Sequence, residues 1–386
     1  MVARAVPYIR SFAASPEMSA VQWALPVSFA GLAVGLIGFM LSQPGGSLLD
    51  RFSHSFTPAF GIMSVVLVVL LTYDLAKRRE VPWGLALGVA VLAFGLSLPY
   101  EKATNFATLA KALGSSGLFL AIGIALLTVD LLFVARRRLG PIAGSVAAAI
   151  TIAAIAAAFL AFGISLTHAL DVAIAPLGEL GDSLTALLII TLVETLLWTI
   201  GIHGPALLAP VVLPVYVNLQ LQNTEALARG ETLPHIVTVS MFLFVFPGGA
   251  GATLPLVLLL LRSKVKRVRT VAFATLLPSI ANANEPLMFG LPLVLNPVLA
   301  VPFVVTPLVL AIVSWWAINL SFVAKPAYYI PSTIPLPVGV FLATKDWRSV
   351  ILILLNVAIG LGIYAPFVRV YERQELRREA ESASPA

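Results

Sequence analysis

Continuous apolar runs dominate the chain, with neither the strict alternation of strands nor a polar stripe at helical spacing. Runs of this kind, about 20 residues long, match the length that crosses the hydrocarbon of a bilayer at about 1.5 Å per residue. The pattern predicts spanning helices near residues 21–42, 59–76, 82–100, 117–135 and 141–165. A second set is predicted near 183–200, 236–261, 271–290, 297–324 and 349–371. Less regular apolar stretches lie at 201–220 and 327–344. A transmembrane β-barrel is excluded, because its strands would alternate apolar and polar positions.

Polar residues interrupt this pattern in two different ways. At segment ends they are basic: of the 24 Lys and Arg, 17 fall in five clusters, Arg4 and Arg10, Lys77–Arg79, Arg136–Arg138, Arg262–Arg269 and Arg369–Arg378. An excess of Lys and Arg marks cytoplasmic flanks, so all five clusters and both termini are expected inside. Two crossings separate each of the first three clusters, and this parity agrees. The net charge of +6 is thereby a topology signal and not a nucleic-acid patch. The N-terminal segment is basic, carries Pro7 and lacks the apolar core of a signal peptide.

Inside the second half the interruptions are prolines and polar groups. "LTHALDVAIAPLGELGD", Leu166–Asp182, has no Lys or Arg and mixes polar with apolar residues at helical spacing. It reads as an external, interfacial amphipathic helix joining two halves. Beyond it Pro205, Pro210, Pro214, Pro278, Pro286, Pro292, Pro297, Pro302 and Pro307 fall within apolar surroundings. Broken helices at membrane depth are tolerated where protein or a watery cavity satisfies the freed backbone, and transporters build substrate sites from them. The expected organisation is a helical scaffold over 1–165, the connector 166–182, a transport domain over 183–371 and a cytoplasmic tail over 372–386.

Three clusters carry candidate chemistry. "ANANEPLMFGLPLVLNP", Ala281–Pro297, sets Asn282, Asn284 and Glu285 among breakers. A carboxylate at membrane depth usually faces a cavity or a partner, and asparagine amides both donate and accept, which suits a hydroxyl-rich ligand. Capping of a broken helix is the competing reading. In "WTIGIHGPALLAP", Trp198–Pro210, His203 stands between Gly201 and Gly204 in a turn setting that exposes it. Just upstream Thr191, Glu194, Thr195 and Trp198 fall at i, i+3, i+4 and i+7, one helix face. That face either lines a cavity, with the indole as a platform for a sugar ring, or anchors Trp198 at the interface. Asp130, a lone acid in the first half, is expected to pair with a basic or hydroxyl group.

Composition narrows the function. The chain is 59% hydrophobic and 11% charged, so it is a polytopic membrane protein. It has no cysteine, which excludes disulfides, thiolate metal sites and a cysteine nucleophile. The four histidines have no ligand spacing, so neither metal nor cofactor is expected, and "FPGGAGAT" lacks the lysine of a nucleotide-binding loop.

The stretch "ANANEPLMFGLPLVLNPVLAVPFVVTPLV" resembles the Asn-x-Asn-Glu-Pro signature of the membrane subunit, enzyme IIC, of the lactose/cellobiose/chitobiose family of the bacterial sugar phosphotransferase system. "GIHG" at Gly201–Gly204 and "GGAGAT" at Gly248–Thr253 match that family in the same order. The resemblance implies an all-α polytopic protein of the bacterial cytoplasmic membrane. It would have about ten transmembrane helices plus two re-entrant hairpins, form a homodimer through its N-terminal helices and move its C-terminal half like an elevator. It implies that Glu285 and His203 face a β-linked disaccharide; Gly204 of the same motif and Asn282, Asn284, Trp198 and Glu194, read above from residue type and spacing, are the further candidate contacts. It further implies phosphate transfer from a partner phosphocysteine to a sugar hydroxyl. Because this chain has no cysteine, the donor would sit on a separate IIB protein supplied by IIA. The basic segment Arg262–Arg269 is the expected docking face. Two departures stand out: the segment after Arg138 is short, and Ser332 in "IPSTIPLP" occupies a position often aromatic in the family. The competing readings are an uncoupled sugar facilitator or exporter, a membrane sugar sensor and, more remotely, a membrane hydrolase.

Overall fold

The structure is a computed structural model that describes residues 11–42, 45, 48–98, 104–113, 116–162, 166–291, 293 and 296–383. The Arg4 and Arg10 cluster, Pro7 and Pro292 lie outside the described residues. Among those residues the regular structure is entirely helical. Among the described residues seven helices are long and apolar enough to cross a membrane, and two shorter apolar helices accompany them. Contacts divide the chain into two units, one of residues 1–179 and 209–221, the other of 180–208 and 222–386.

The first unit contains α1 (Pro16–Ser42), α2 (Leu48–Arg78), α3 (Trp83–Leu96), α4 (Phe106–Leu113), α5 (Ser116–Leu139), α6 (Pro141–Ala161) and nearly all of α7 (Leu166–Gly181). The α2 helix is its centre and packs on α1, α3, α4 and α5. Ala59, Met63, Leu67, Leu71 and Leu75, four residues apart, form a fully buried stripe along it. Small residues set the spacing, as expected where lipid removes the hydrophobic drive between helices. A Cβ on Gly61 would fall 2.2 Å from the Ala110 carbonyl oxygen of α4, and one on Gly31 would meet Val66 at 2.7 Å.

Local stops follow from residue type. After α2, Glu80 adopts φ 55° and the Val81 N–H closes onto the Ala76 carbonyl, with Pro82 next. Gly140, at φ 84°, turns α5 into α6, which begins at Pro141. Asp130 finds the basic partner expected of it. Arg79 lies 3.5 Å from its Oδ1, is also bonded to Glu17 and sits over the Phe133 ring.

The second unit contains α8 (Leu184–Thr199), the two ends of α9 (Gly204–Ala228), α10 (Phe242–Val245), α11 (Leu254–Leu260), α12 (Lys266–Ile280), α13 (Glu285–Gly290), α14 (Pro297–Asn319), α15 (Leu336–Thr344) and α16 (Arg348–Ala383). The α16 helix packs on α11, α14 and α15. It stays helical through most of the predicted tail, where Glu372 accepts the Lys264 N–H and Glu375 pairs with Arg267.

Three predicted segments differ from the structure. Residues 236–261 are not one span. The chain makes a 3-10 turn at Val239–Met241 and the single turn of α10, then unwinds from Phe246 to Thr253 before α11. Pro247 and the glycines cause this: Gly248, Gly249 and Gly251 take φ between 84° and 92°. Residues 271–290 break at 281–284, where Asn282 has φ 57°. Conversely, the irregular stretch 201–220 lies mostly inside the 25-residue α9, which accommodates Pro210 and Pro214 internally.

Candidate functional site

The site grows from two chain reversals in the second unit. At the first, α8 ends when the Gly201 N–H bonds to the Trp198 carbonyl and the Ile202 N–H to the Leu197 carbonyl, with Gly201 at φ 81°. His203 then caps α9: its ring Nδ1 accepts the Ala206 N–H at 3.1 Å. Gly204 is required by space as well as by the turn, because a Cβ there would stand 2.1 Å from the Glu194 carbonyl oxygen. The Trp198 and His203 rings lie 4.4 Å apart between centroids, tilted by 51°.

At the second reversal, Glu285 opens α13 beside Pro286. Its Oε1 lies 3.6 Å from Nε2 of His203, and both side chains remain nearly half exposed, 46% and 42%. The separation is longer than a hydrogen bond and leaves both groups open to a third. The cap also settles the imidazole's roles. With Nδ1 accepting a backbone N–H, the neutral ring carries its proton on Nε2 and presents a donor toward Glu285.

The structure gives the neighbouring asparagines a different environment from that of Glu285. Asn282 accepts the Gly248 N–H through Oδ1 at 2.8 Å and donates from Nδ2 to the Ser332 carbonyl at 2.7 Å. Asn284, 3% exposed, donates to the Ala250 carbonyl at 2.7 Å. Their amides staple the glycine-rich turn 248–251 to the turn carrying Glu285 and to the 332 segment. Behind that turn, Thr253 Oγ1 bonds to the Gly248 carbonyl and Tyr364 Oη to that of Gly251.

On α8, Thr191, Glu194, Thr195 and Trp198 are buried together on one face, as their spacing predicts. The Thr195 hydroxyl bonds to the Thr191 carbonyl, whereas Glu194 has no hydrogen bond or ion pair among the described residues.

One polar cluster went unmarked in the sequence. His235 Nδ1 lies 3.0 Å from Asp182 Oδ2, and Nε2 lies 2.7 Å from Gln222 Oε1. Asp182 Oδ1 also accepts the Ile236 and Val237 N–H groups, and Asn223 clamps the His235 and Pro326 backbone. Burial would raise the Asp182 carboxyl, but the His235 ring and the two amides outweigh it and hold the group below its ordinary value. These partners are 12, 13 and 53 residues apart from His235, and no local motif announces them.

The chain is similar to known membrane permease components over most of its length. The chain is 31% identical over 379 residues to the lichenan permease IIC component of Bacillus subtilis (strain 168), covering 89% of this chain and 84% of that one. It is 28% identical to the cellobiose-specific EIIC component of Geobacillus stearothermophilus, covering 97% and 94%. The crystal structure of the transporter ChbC, the IIC component of an N,N'-diacetylchitobiose-specific phosphotransferase system, superposes with a TM-score of 0.83 at 25% identity, covering 97% and 98%. The family model described as "Phosphotransferase system, EIIC" matches residues 21–307, and with it the chain is shown to belong to that family of membrane permease components.

Proposed function

We propose that the protein is the sugar permease subunit of a phosphotransferase system. It would bind a β-linked disaccharide, carry it inward across the bacterial cytoplasmic membrane and present it to a separate phospho-IIB protein. The observation that carries this reading is the meeting of His203 and Glu285, 3.6 Å apart and both accessible, from reversals 82 positions apart in the chain. Support comes from relatives whose names specify lichenan, oligo-β-mannoside, cellobiose and diacetylchitobiose.

The chemistry follows from the two groups. A sugar hydroxyl between them receives a hydrogen bond from His203 Nε2–H on its oxygen and gives its proton toward Glu285. In phosphoryl transfer the new O–P bond forms as the S–P bond of the donor phosphocysteine breaks, and the hydroxyl proton leaves to the carboxylate. Such transfer depends on positioning and charge management more than on covalent help from the acceptor site. Trp198 orients the His203 ring, Gly204 lets the turn sit on α8, and Asn282 and Asn284 act through the turns they staple.

Movement of the second unit as a body, dimerisation through the first and docking of IIB on the basic Arg262–Arg269 surface complete the proposal. The test is counterflow in proteoliposomes preloaded with cellobiose, diacetylchitobiose, lactose or mannobiose. Exchange of labelled sugar for at least one is expected, and Glu285→Gln should slow phosphorylation by added IIA and IIB by about 10²–10⁴. Full net uptake without any IIB would favour the uncoupled facilitator. Binding without counterflow would favour the sensor.

A further inference from the structure

We propose that Arg369, Arg373 and Arg377 form a binding surface for anionic phospholipid headgroups, on the face of α16 that meets lipid. The inference stands apart from the sugar-permease reading. It takes from the sequence only the expectation that this end of α16 is cytoplasmic.

The helix has two continuous, opposite faces. Asn356, Gly360, Tyr364, Val368, Tyr371 and Glu375 are buried at intervals of three or four residues. On the other side Ile351, Leu355, Ala358, Gly362 and Pro366 follow one another at the same intervals and are exposed, Ile351 to 54% and Leu355 to 49%. An open apolar stripe on a helix long and apolar enough to cross a membrane is a face for acyl chains. Arg369, Arg373 and Arg377 extend that stripe without a change of phase, and all three are exposed. At about 1.5 Å per residue the helix covers about 30 Å between Arg348 and Arg369, the thickness of the hydrocarbon. The stripe therefore turns from apolar to cationic where acyl chains give way to headgroups.

The nearest carboxylates are directed elsewhere. Glu372 accepts the Ser263 hydroxyl and the Lys264 N–H, and the buried Glu375 pairs with Arg267 and Arg378. These clasps hold the extension of α16 against segment 263–267, on the side away from the stripe. The three arginines have no ion pair or side-chain hydrogen bond among the described residues. Guanidinium groups match phosphate oxygens with paired N–H donors, so lipid phosphate supplies the counter-charge that this face lacks. Because α16 belongs to the second unit, the lipid contact is made by the body that carries His203 and Glu285.

The test uses the full chain in phosphatidylcholine nanodiscs. The chain has no cysteine, so Val370→Cys, at a position 45% exposed beside the stripe, takes a fluorophore at one site. Brominated phosphatidylglycerol should quench it at a mole fraction at least fivefold lower than brominated phosphatidylcholine, the factor given by about 1 kcal/mol for a single arginine near an anionic surface. Replacing Arg369, Arg373 and Arg377 together by Gln should remove the preference, and replacing Arg262 and Lys264 by Gln in the neighbouring loop should leave it. Equal quenching by the two lipids in the parent overturns the proposal, as does a preference that survives the triple replacement. An equal loss in the loop variant also overturns it, since a diffuse field would then account for the effect. So does a triple variant that keeps the lipid preference and loses binding of an acidic protein such as IIB. If the triple variant fails to fold, Arg369→Gln, Arg373→Gln and Arg377→Gln taken singly should each lower the preference, and three unchanged titrations refute the assignment.

Discussion

Replacing Asn282 removes more than its position in a polar motif suggests. The side chain makes two hydrogen bonds that tie segments 34 and 50 residues away to the Glu285 turn. Each is worth about 1 kcal/mol net, and the Gly248 N–H would be left without its acceptor. The backbone at φ 57° adds a separate cost, since an alanine in the left-handed region loses about 1 kcal/mol or more. Asn282→Ala should therefore destabilise this part of the unit by about 3 kcal/mol. Asn282→Gly, which keeps the backbone conformation accessible, should lose roughly 2 kcal/mol. Where that loss falls on the local turn, the binding-competent population shrinks and disaccharide affinity drops with it, by about tenfold for each 1.4 kcal/mol. Thermal unfolding and disaccharide titration on both variants check the ordering parent, glycine, alanine. Parental melting temperature and Kd in Asn282→Ala would show that the staple does not shape the site.

Gly204→Ala should weaken disaccharide binding sharply and lower the melting temperature, because the new methyl meets a backbone oxygen that cannot rotate away. Overpacking of this kind costs about 1–3 kcal/mol, and a binding titration beside a melting curve measures both effects. Acid sensitivity should depend on Asp182. Its carboxyl is held low in the folded state, so its contribution to stability is present above the ordinary value of 3.8 and is lost as pH falls through the lower folded value. Melting temperatures between about pH 5 and 3 should fall less steeply in Asp182→Asn, which already lacks that contribution above pH 4. Asp130→Ala should destabilise the first unit by removing one of the two acids around Arg79, and an Arg79→Met, Asp130→Ala double variant should recover part of that loss. Thermal melts of the three proteins provide the comparison.

Much of the first unit was legible because its signal is local. The buried stripe from Ala59 to Leu75 is a four-residue period, and the stops before Pro82 and at Gly140 coincide with residues that end helices. The second unit was legible in its chemistry and less so in its path. Hydropathy sees 236–261 as one apolar segment because glycine and proline there are flanked by residues such as Phe244, Val245 and Leu256. The left-handed turn that divides it is a backbone property without an apolar signature. The opposite error at 201–220 arose because Pro210 and Pro214 read as breakers, yet α9 continues through both. Trp198 and His203 share one short motif and pack ring on ring, whereas the approach of Glu285 to His203 spans 82 positions and no spacing in the sequence announces it. The roles of Asn282 and Asn284 depend on carbonyl and amide groups at 248, 250 and 332, which no spacing rule connects to them. The His235 cluster was invisible for the same reason.

If Glu285 receives the proton of the sugar hydroxyl while His203 holds the oxygen, the carboxylate matters to transfer more than to binding. With phosphorylated IIB in excess and a disaccharide that the parent binds, single-turnover phosphoryl transfer should slow by about 10²–10⁴ in Glu285→Gln. The sugar Kd should change far less. Transfer at the parental rate in Glu285→Gln, or a loss confined to sugar affinity, would contradict it.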